Sequence, residues 1–198
     1  MSDITVLGGG RVGGGLATAL TRAGHEVTVA TRAPGAAADA VRTARVVINA
    51  TPGAGSLERL AALRAELRGK ILVDVSNATV DGPDGLPAEL LYPGSSLAER
   101  LQEALPETLV VKTLNTMLHS VMTEPSSLAQ PPTVFLSGAD PEAKQVVRGL
   151  LRDLGWRQEW ITDLGGIETA RAAEGAILFV PHVIRSSGFA PFAISIAR

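Results

Sequence analysis

The chain has 198 residues, of which 45% are hydrophobic and 19% charged, and its formal net charge is -2. This length allows one large domain, or one domain with a small appendage. The weak charge and three scattered histidines argue against a nucleic-acid partner and a metal cluster, and the lack of cysteine excludes disulfides and thiolate chemistry. No stretch is apolar for long enough to span a bilayer, so we expect a cytoplasmic protein with no membrane partner.

The first predicted elements are a strand, ITVL at residues 4–7, and a glycine-rich turn. Gly8, Gly10 and Gly13 have the spacing G-x-G-x-x-G that is typical of dinucleotide-binding turns. In such turns the first glycine permits the tight turn, the second lets pyrophosphate approach the backbone, and the third lets a helix pack on the strand. Apolar residues in LATALTRAG recur at helical spacing, so a helix N-terminus would face the phosphates. A glycine-rich loop without a ligand is the alternative.

The second strand, EVTVATR at residues 26–32, ends at the position that selects between NAD and NADP. An acidic residue that would bind the ribose 2'-hydroxyl of NAD is missing between Val27 and Arg32. The guanidinium of Arg32 can instead bind a 2'-phosphate, and the hydroxyl of Thr31 adds another donor. The sequence therefore favours NADP, with a solvated loop arginine as the alternative.

The segment between the second and third predicted strands is short. Residues 33–45 have room for one helix, roughly residues 36–44, before the strand VVINA at 46–50. A regular doubly wound half needs a further strand here. We therefore predict that the outer third strand is missing, that the chain crosses directly to the other side of the first strand, and that the adenine side is more open.

The later elements continue the alternation of strands and helices. We predict an α/β fold with a Rossmann-like doubly wound, mainly parallel sheet, shortened after strand two and followed by a small C-terminal α/β extension. The dinucleotide-binding domain would cover residues 1–114, and residues 115–198 would pack on the same core and complete the acceptor site. The predicted elements are a helix at 56–67 with Ser56 as N-cap, a strand at 70–76, a Pro/Gly-rich binding or surface loop at 81–96, a helix at 97–104, strands at 108–114 and 133–138, a helix at 141–154, a short strand at 156–161, and a helical run at 167–183 that Pro181 kinks or ends.

Polar and small residues follow three of the predicted strands, at the sheet edge where a ligand should lie. Their amides and hydroxyls can hydrogen-bond ribose, phosphate and carboxamide, but they include no strong acid, base or nucleophile. This favours hydride transfer, in which a cofactor supplies the reactive atom. Loop capping is the alternative for each residue taken singly. The three polar clusters are Asn49, Thr51 and Pro52; Ser76 and Asn77; and Asn115, Thr116 and Met117.

Three titratable residues lie beside these clusters in the sequence. His119 could donate a proton or hold an acidic substrate, although a lone histidine on a helix is more often structural or solvated. We interpret Asp74 as a satisfied buried carboxylate at a strand end, and Lys112 as structural. No other catalytic residue is assigned.

Several motifs make the chain resemble the NADPH-dependent coenzyme F420 reductases, also called F420:NADP oxidoreductases. They are TVLGGGRVGGGLATALTRAGHEVTVATR, VVINATPG, KILVDVSNAT, VVKTLNTM, DLGGIETAR and FAISIAR, and they run nearly from end to end. The resemblance implies direct hydride exchange between NADP(H) and a deazaflavin, coenzyme F420, in the cleft beside the polar clusters. It also implies cofactor contacts at Gly8, Gly10, Arg11, Val12, Gly13, Thr31 and Arg32.

Other hypotheses stay open at this point. The acceptor could be a flavin, an imine or a metal chelate, or the chain could be a redox-inactive NADP-binding sensor, which a closed nicotinamide end would favour. Imine reductases and hydroxyacid dehydrogenases resemble the first domain only; they then have a long helical domain with a catalytic lysine, whereas the last lysine here is Lys144. We expect a homodimer, the commonest arrangement of soluble oligomers.

Overall fold

A computed structural model describes residues 1–30, 33 and 35–197, so Thr31 and Arg32 lie outside the described residues. Its strands are β1 (Asp3–Leu7), β2 (Glu26–Ala30), β3 (Val46–Asn49), β4 (Ile71–Asp74), β5 (Thr79–Asp81), β6 (Pro87–Leu90), β7 (Leu109–Lys112), β8 (Val134–Ser137) and β9 (Ile161–Gly165). Its α-helices are α1 (Arg11–Arg22), α2 (Ala36–Thr43), α3 (Ser56–Ala61), α4 (Arg64–Leu67), α5 (Leu97–Ala104), α6 (His119–Thr123), α7 (Pro141–Asp153), α8 (Ala170–Gly175) and α9 (Phe179–Ser187).

Seven strands form one sheet in the order β2-β1-β3-β4-β7-β8-β9. All neighbouring pairs are parallel except β7 and β8, which are antiparallel. Because β3 pairs with β1 on the side opposite β2, the chain crosses back over the sheet after β2, and its direction across the sheet reverses between β1 and β3. The predicted Rossmann-like fold is confirmed, and in the described residues β2 forms the sheet edge without an outer third strand.

Helices cover both faces of the sheet because the side chains of its strands alternate between two apolar layers. In β3, for example, Val46 and Ile48 face one layer and Val47 faces the other. Helices α1, α6 and α7 contribute to the first layer, and α2, α3, α4, α5 and α8 to the second. Strands β8 and β9 share the sheet with β1, while the division into domains at residue 114 stays a prediction.

The predicted helix at residues 56–67 differs from the structure in its start and in its continuity. Gly55, with φ +76°, is the N-cap of α3, whereas Ser56 is the first helical residue. The Ser56 hydroxyl donates to the carbonyl of Pro52 at 3.0 Å instead of capping a helix N–H. The helical segment is also interrupted, because α3 ends at Ala61 and α4 begins at Arg64.

In the final third, one prediction is wrong and one is confirmed with a difference. Residues 158–160 form a 3₁₀ turn, and the strand follows at 161–165, where it pairs with β8. The helical run that begins at residue 167 is confirmed: it alternates 3₁₀ and α segments without a break, and α9 extends it to Ser187. Pro181, the third residue of α9, does not end the run, while a kink at this proline stays a prediction.

The Pro/Gly-rich segment at 81–96 contains part of a two-stranded antiparallel hairpin, β5 with β6. The hairpin borders α9, and a hydrogen-bonded ion pair joins Asp84 to Arg185 at 2.6 Å. The hydrogen bond from Arg185 lowers the pKa of Asp84 below its usual value of 3.8. Within the described part of the chain, no helix is long and apolar enough to cross a membrane.

Candidate functional site

A cavity of about 1030 Å³ lies at the carboxyl ends of five neighbouring strands, β2, β1, β3, β4 and β7. Four spacings of about 4.8 Å between strands give this edge a width of about 19 Å. The cavity is at the upper end of the size range of ligand pockets, about 300–1000 Å³. It includes the point where the chain reverses across the sheet, which is the usual ligand position in such folds.

The glycine turn forms the wall of the cavity beside β1. Gly8 has φ +101°, and a Cβ at this position would lie 2.6 Å from the carbonyl oxygen of Ala50. A Cβ at Gly13 would lie 1.8 Å from the oxygen of Gly8. Gly10 is the N-cap of α1, and among the described residues no atom lies within 4 Å of a Cβ built there. The turn therefore presents an accessible helix N-terminus at the cavity, a favourable place for an anion.

Asn49 organises the two polar clusters at the ends of β3 and β4. Its side-chain oxygen accepts a hydrogen bond from the Thr51 hydroxyl at 2.7 Å. Its Nδ2 group donates to Asp74 Oδ1 at 2.8 Å and to the Ser76 hydroxyl at 3.3 Å. Ser76 also donates to Asp74 Oδ1, at 2.8 Å. These bonds fix the ends of the two strands relative to each other.

The third polar cluster is joined to the second by a pair of amides. Asn115 Nδ2 donates to Asn77 Oδ1 at 2.9 Å, and Asn77 Nδ2 donates to the Asn115 carbonyl at 3.0 Å. Leu114, with φ +61°, turns the chain between β7 and Asn115. A bulky residue seldom adopts this conformation, so the turn stores backbone strain beside the cavity.

A buried ion network lies behind the clusters. Lys112 Nζ is 2.7 Å from Asp74 Oδ2 and 3.0 Å from Glu174 Oε1, and it also donates to the Ser76 carbonyl. Burial alone would lower the pKa of Lys112, but the charges of Asp74 and Glu174 outweigh it and hold this pKa above its usual value. Asp74 is therefore a satisfied buried carboxylate and Lys112 a buried ion-pair partner, as their sequence positions predicted.

Another wall of the cavity is apolar and comes from the C-terminal part of the chain. Backbone bonds attach the last segment beside the third cluster: Leu118 N–H donates to the Phe192 carbonyl at 2.9 Å, and Ile194 N–H donates to the Thr116 carbonyl at 3.1 Å. We call the residues of this surface the apolar wall. They are Ala176, Ile177, Phe179, Val180, Ile184, Phe189, Phe192 and Ile194.

Comparisons with known proteins agree on one family. A family profile described as "NADP oxidoreductase coenzyme F420-dependent" matches residues 3–78. The F420-dependent NADP reductase of Methanocaldococcus jannaschii is 31% identical over 139 residues, or 69% of this chain and 60% of that protein. A crystal structure of a candidate F420-dependent NADP reductase from Arthrobacter sp. FB24 is 39% identical, covers 100% of both chains and has a TM-score of 0.91. This chain belongs to the coenzyme F420-dependent NADP oxidoreductase family.

More distant structures share the fold of this F420-dependent oxidoreductase family member. The imine reductase from Myxococcus stipitatus is 18% identical with a TM-score of 0.62, and the match covers 93% of this chain and 62% of that protein. The likeness therefore extends beyond the predicted first domain of this chain, which corrects the expectation that it would be limited to that part. In length, this chain spans about 60% of the M. jannaschii reductase in their alignment.

The cavity of this family member brings together most of the residues singled out in the sequence. Its lining includes every residue of the three polar clusters, Gly8, Gly10, Arg11 and Val12, while Gly13 packs behind the turn. His119, the first residue of α6, also lines it and is half-buried. Cofactor binding by these residues stays a prediction, and so does any catalytic role of His119.

Sequence reasoning missed two parts of the lining. Residues 176–184 of the apolar wall have no motif that separates them from an ordinary core helix, whereas Phe192 and Ile194 belong to the FAISIAR motif, to which sequence reasoning gave no role in the site. The cavity is also lined by Ala33 and Ala37, which follow β2, and by Arg59 and Leu63, which follow β3. The Arg59 guanidinium donates to the Pro52 carbonyl at 2.5 Å. An arginine in the first turns of a helix, such as Arg59, does not by itself indicate a binding site, because helical arginines are mostly solvent-exposed.

Proposed function

We propose that this chain transfers a hydride between NADPH and the deazaflavin coenzyme F420. Family membership supports the reaction, and the observation that carries the proposal is a single cavity that joins the glycine turn to the apolar wall. The reaction balances as NADPH plus F420 plus one proton from water, giving NADP⁺ and reduced F420. When bound, the nicotinamide cofactor supplies the hydride, so the protein has to align and shield rather than react.

The cofactor side fits a dinucleotide. The open space at Gly10 admits phosphate to the backbone, and the N-terminus of α1 together with the exposed Arg11 would stabilise its charge. Thr31 and Arg32 would hold the 2'-phosphate. Arg59 adds a further cation to the cavity, beside Thr51 and Pro52 at the end of β3. Asn49 would act through Thr51, because its own side chain is fully buried.

On the acceptor side, this chain provides an apolar surface and hydrogen-bonded amides. The paired side chains of Asn77 and Asn115 would orient polar groups of the two reactants at the middle of the cavity. Ile177, Phe179 and Phe192 of the apolar wall would pack against an aromatic ring and exclude water from the hydride path. This arrangement needs no strong acid or base, which agrees with the composition of the polar clusters.

An absorbance assay tests the proposal directly. The protein is mixed with NADPH and F420, and the loss of deazaflavin absorbance is followed; the same assay with FMN, an imine and a ferric chelate tests the other acceptors. We expect turnover with F420 well above that with the alternatives. Absence of F420 turnover in correctly folded protein would overturn the proposed function. A redox-inactive sensor is the weaker hypothesis, because the cavity extends past all three polar clusters.

Cofactor preference gives a separate prediction for Arg32. Arg32→Ala should weaken NADPH binding by about ten-fold or more, because a hydrogen bond to a charged group contributes about 1.5–3 kcal/mol, while NADH binding stays nearly constant. Fluorescence titration with each nucleotide measures the two dissociation constants. Arg22→Ala is the matched control, because Arg22 is an exposed arginine in the last turn of α1, outside the cavity lining. Equal losses for NADPH and NADH would refute the assignment.

We also propose a homodimer located in the cytoplasm. Phe189 and Ile196 are 68% and 45% exposed, and a second subunit would cover such large apolar side chains near the C-terminal segment. A cytoplasmic location follows from the proposed reaction, because NADPH is a soluble intracellular cofactor. Light scattering coupled to size exclusion measures the subunit number, and a monomer at micromolar concentration would contradict the dimer.

A further inference from the structure

Glu174 is a buried carboxylate that joins the C-terminal part of the chain to the centre of the sheet. It is 3% exposed, and its Oε1 lies 3.0 Å from Lys112 Nζ. The same carboxylate accepts hydrogen bonds from the backbone N–H of Leu97 at 2.9 Å and of Ala98 at 3.1 Å. Glu174 therefore binds β7 through Lys112 and the N-terminus of α5 through two amides, while it belongs to α8.

The position of Glu174 places this attachment next to the apolar wall. Ala176 and Ile177, two and three residues later, are the first residues of that wall. The preceding residue, Ala173, accepts a hydrogen bond through its carbonyl from Asn115 Nδ2 at 2.9 Å. Two consecutive residues thus connect the start of the apolar wall to the strand end that carries the third polar cluster.

Stability alone is a weak explanation for this network. Three buried ionic groups, Asp74, Lys112 and Glu174, lose much of their hydration energy, and apolar residues of the same volume often stabilise a core as well or better. A fully satisfied polar network does fix one arrangement of its elements. Two carboxylates surround one ammonium group, which leaves one negative charge in excess. The N-terminus of α5 offsets this charge, because the helix dipole favours an anion there. The network therefore defines position more than it contributes stability.

We propose that Glu174 is a positioning residue, which holds the apolar wall at the distance from the polar clusters that hydride transfer requires. The inference rests on the proposed function, since that function assigns the acceptor to the apolar wall. The glycine turn, where the phosphates would bind, lies three strand spacings from β7, about 14 Å away, so a change at Glu174 should leave the phosphate contacts, and with them most of the NADPH affinity, intact.

The chain offers a matched control in Glu99. An ion pair between Glu99 and Arg171 also joins α5 to α8, but it lies nearer the surface, with the side chain of Arg171 51% exposed and that of Glu99 11% exposed. Glu99→Gln and Glu174→Gln make the same chemical change in a carboxylate that connects the same two helices. Of these two glutamates, only Glu174 contacts the buried Lys112, and only Glu174 is followed, two residues later, by the first residue of the apolar wall.

The experiment compares wild type, Glu174→Gln and Glu99→Gln in three measurements. Hydrogen exchange without substrates should show faster exchange at residues 176–184 in Glu174→Gln only. The dissociation constant of NADPH should stay within about two-fold in both variants. With F420, kcat/KM should fall about ten- to hundred-fold in Glu174→Gln, the effect of a misplacement of about 1 Å, and the isotope effect with deuterated NADPH should rise.

Each outcome bears on the inference separately from the proposed function. If wild type reduces F420 but Glu174→Gln matches Glu99→Gln in exchange and in kcat/KM, the positioning role is wrong. If wild type does not reduce F420, the proposed function fails. If, in addition, residues 176–184 exchange at the wild-type rate in Glu174→Gln, then Glu174 does not hold the apolar wall in place either. If Glu174→Gln does not fold, Glu174→Asp keeps the charge with a shorter side chain, and wild-type exchange and F420 kinetics in that variant would contradict the role.

Discussion

Gly13 lies so close to the glycine turn that a side chain cannot fit there without movement of the backbone. We expect Gly13→Ala to destabilise the protein by about 1–3 kcal/mol, the usual cost of overpacking, and to weaken NADPH binding, because the added methyl group would meet the Gly8 carbonyl. Gly15→Ala is the control: a Cβ there meets nothing within 4 Å, so it should stabilise α1 by about 0.5–1 kcal/mol. Urea unfolding and nucleotide titration measure both effects, and a Gly13→Ala variant as stable as Gly15→Ala would contradict the packing argument.

Single residues could be predicted where a short sequence motif itself requires a particular residue type. The separate tasks of Gly8 and Gly13 follow from six consecutive positions, and the structure has the predicted close packing. Glu174 could not be found in this way, because its partner Lys112 is 62 residues earlier in the chain and only the fold brings the two together. The conformation of Leu114 was equally hidden, since leucine gives no signal for a positive φ angle.

At the scale of elements, Lys112 connects β7 to β4 and α8, and its charge balances two buried carboxylates. Lys112→Met should destabilise the protein by about 3–5 kcal/mol, because it leaves buried charge without a partner. In this variant one of the two carboxylates must take up a proton to stay buried. The folded variant therefore binds more protons than its unfolded chain, so its free energy of unfolding falls as the pH rises above about 5.

Urea unfolding at pH 5.5 and pH 8 measures this difference. In wild type, Lys112 has a raised pKa, so its contribution to stability is fully present below the usual value of 10.5 and is lost only at higher pH. Wild type should therefore show no trend from this residue between pH 5.5 and 8. Lys144→Met is the control, because it removes a partly exposed ion pair with Asp163 that contributes at most about 1 kcal/mol. Equal pH trends in the two variants would contradict the charge argument.

Elements were predictable where periodicity and length agree. The shortness of residues 33–45 was enough to predict direct pairing of β3 with β1, because no further strand and helix fit there. The segment at 156–161 was misassigned because its residues 158–160 form a 3₁₀ turn beside which Arg157 stacks on Trp160, and residues 161–165 pair with β8 instead. Which of two adjacent segments becomes the strand depends on a partner elsewhere in the sheet.

For the whole molecule, one core extends through both parts of the chain. A single apolar layer contains Ile4 of β1 and Ile48 of β3 together with Leu150 of α7 and Trp156, so the two parts should unfold together. Trp156 and Trp160 report only on the part after residue 114, whereas far-ultraviolet circular dichroism reports on both. We expect coincident urea midpoints from these two probes. Two separate midpoints would show that residues 1–114 and 115–198 are independent domains.

The two sides of the cavity are synthesised at different times. At about 5–20 residues per second, residues 176–194 follow the glycine turn on the ribosome by roughly 8–35 seconds. β8 follows β7 by 22 residues, so the outer edge of β7 stays unpaired on the nascent chain for roughly 1–4 seconds. Unpaired strand edges of this kind are sites of aggregation and of chaperone binding. The apolar wall, to which we assign the hydride acceptor, is therefore completed last, on a polypeptide that already carries the glycine turn.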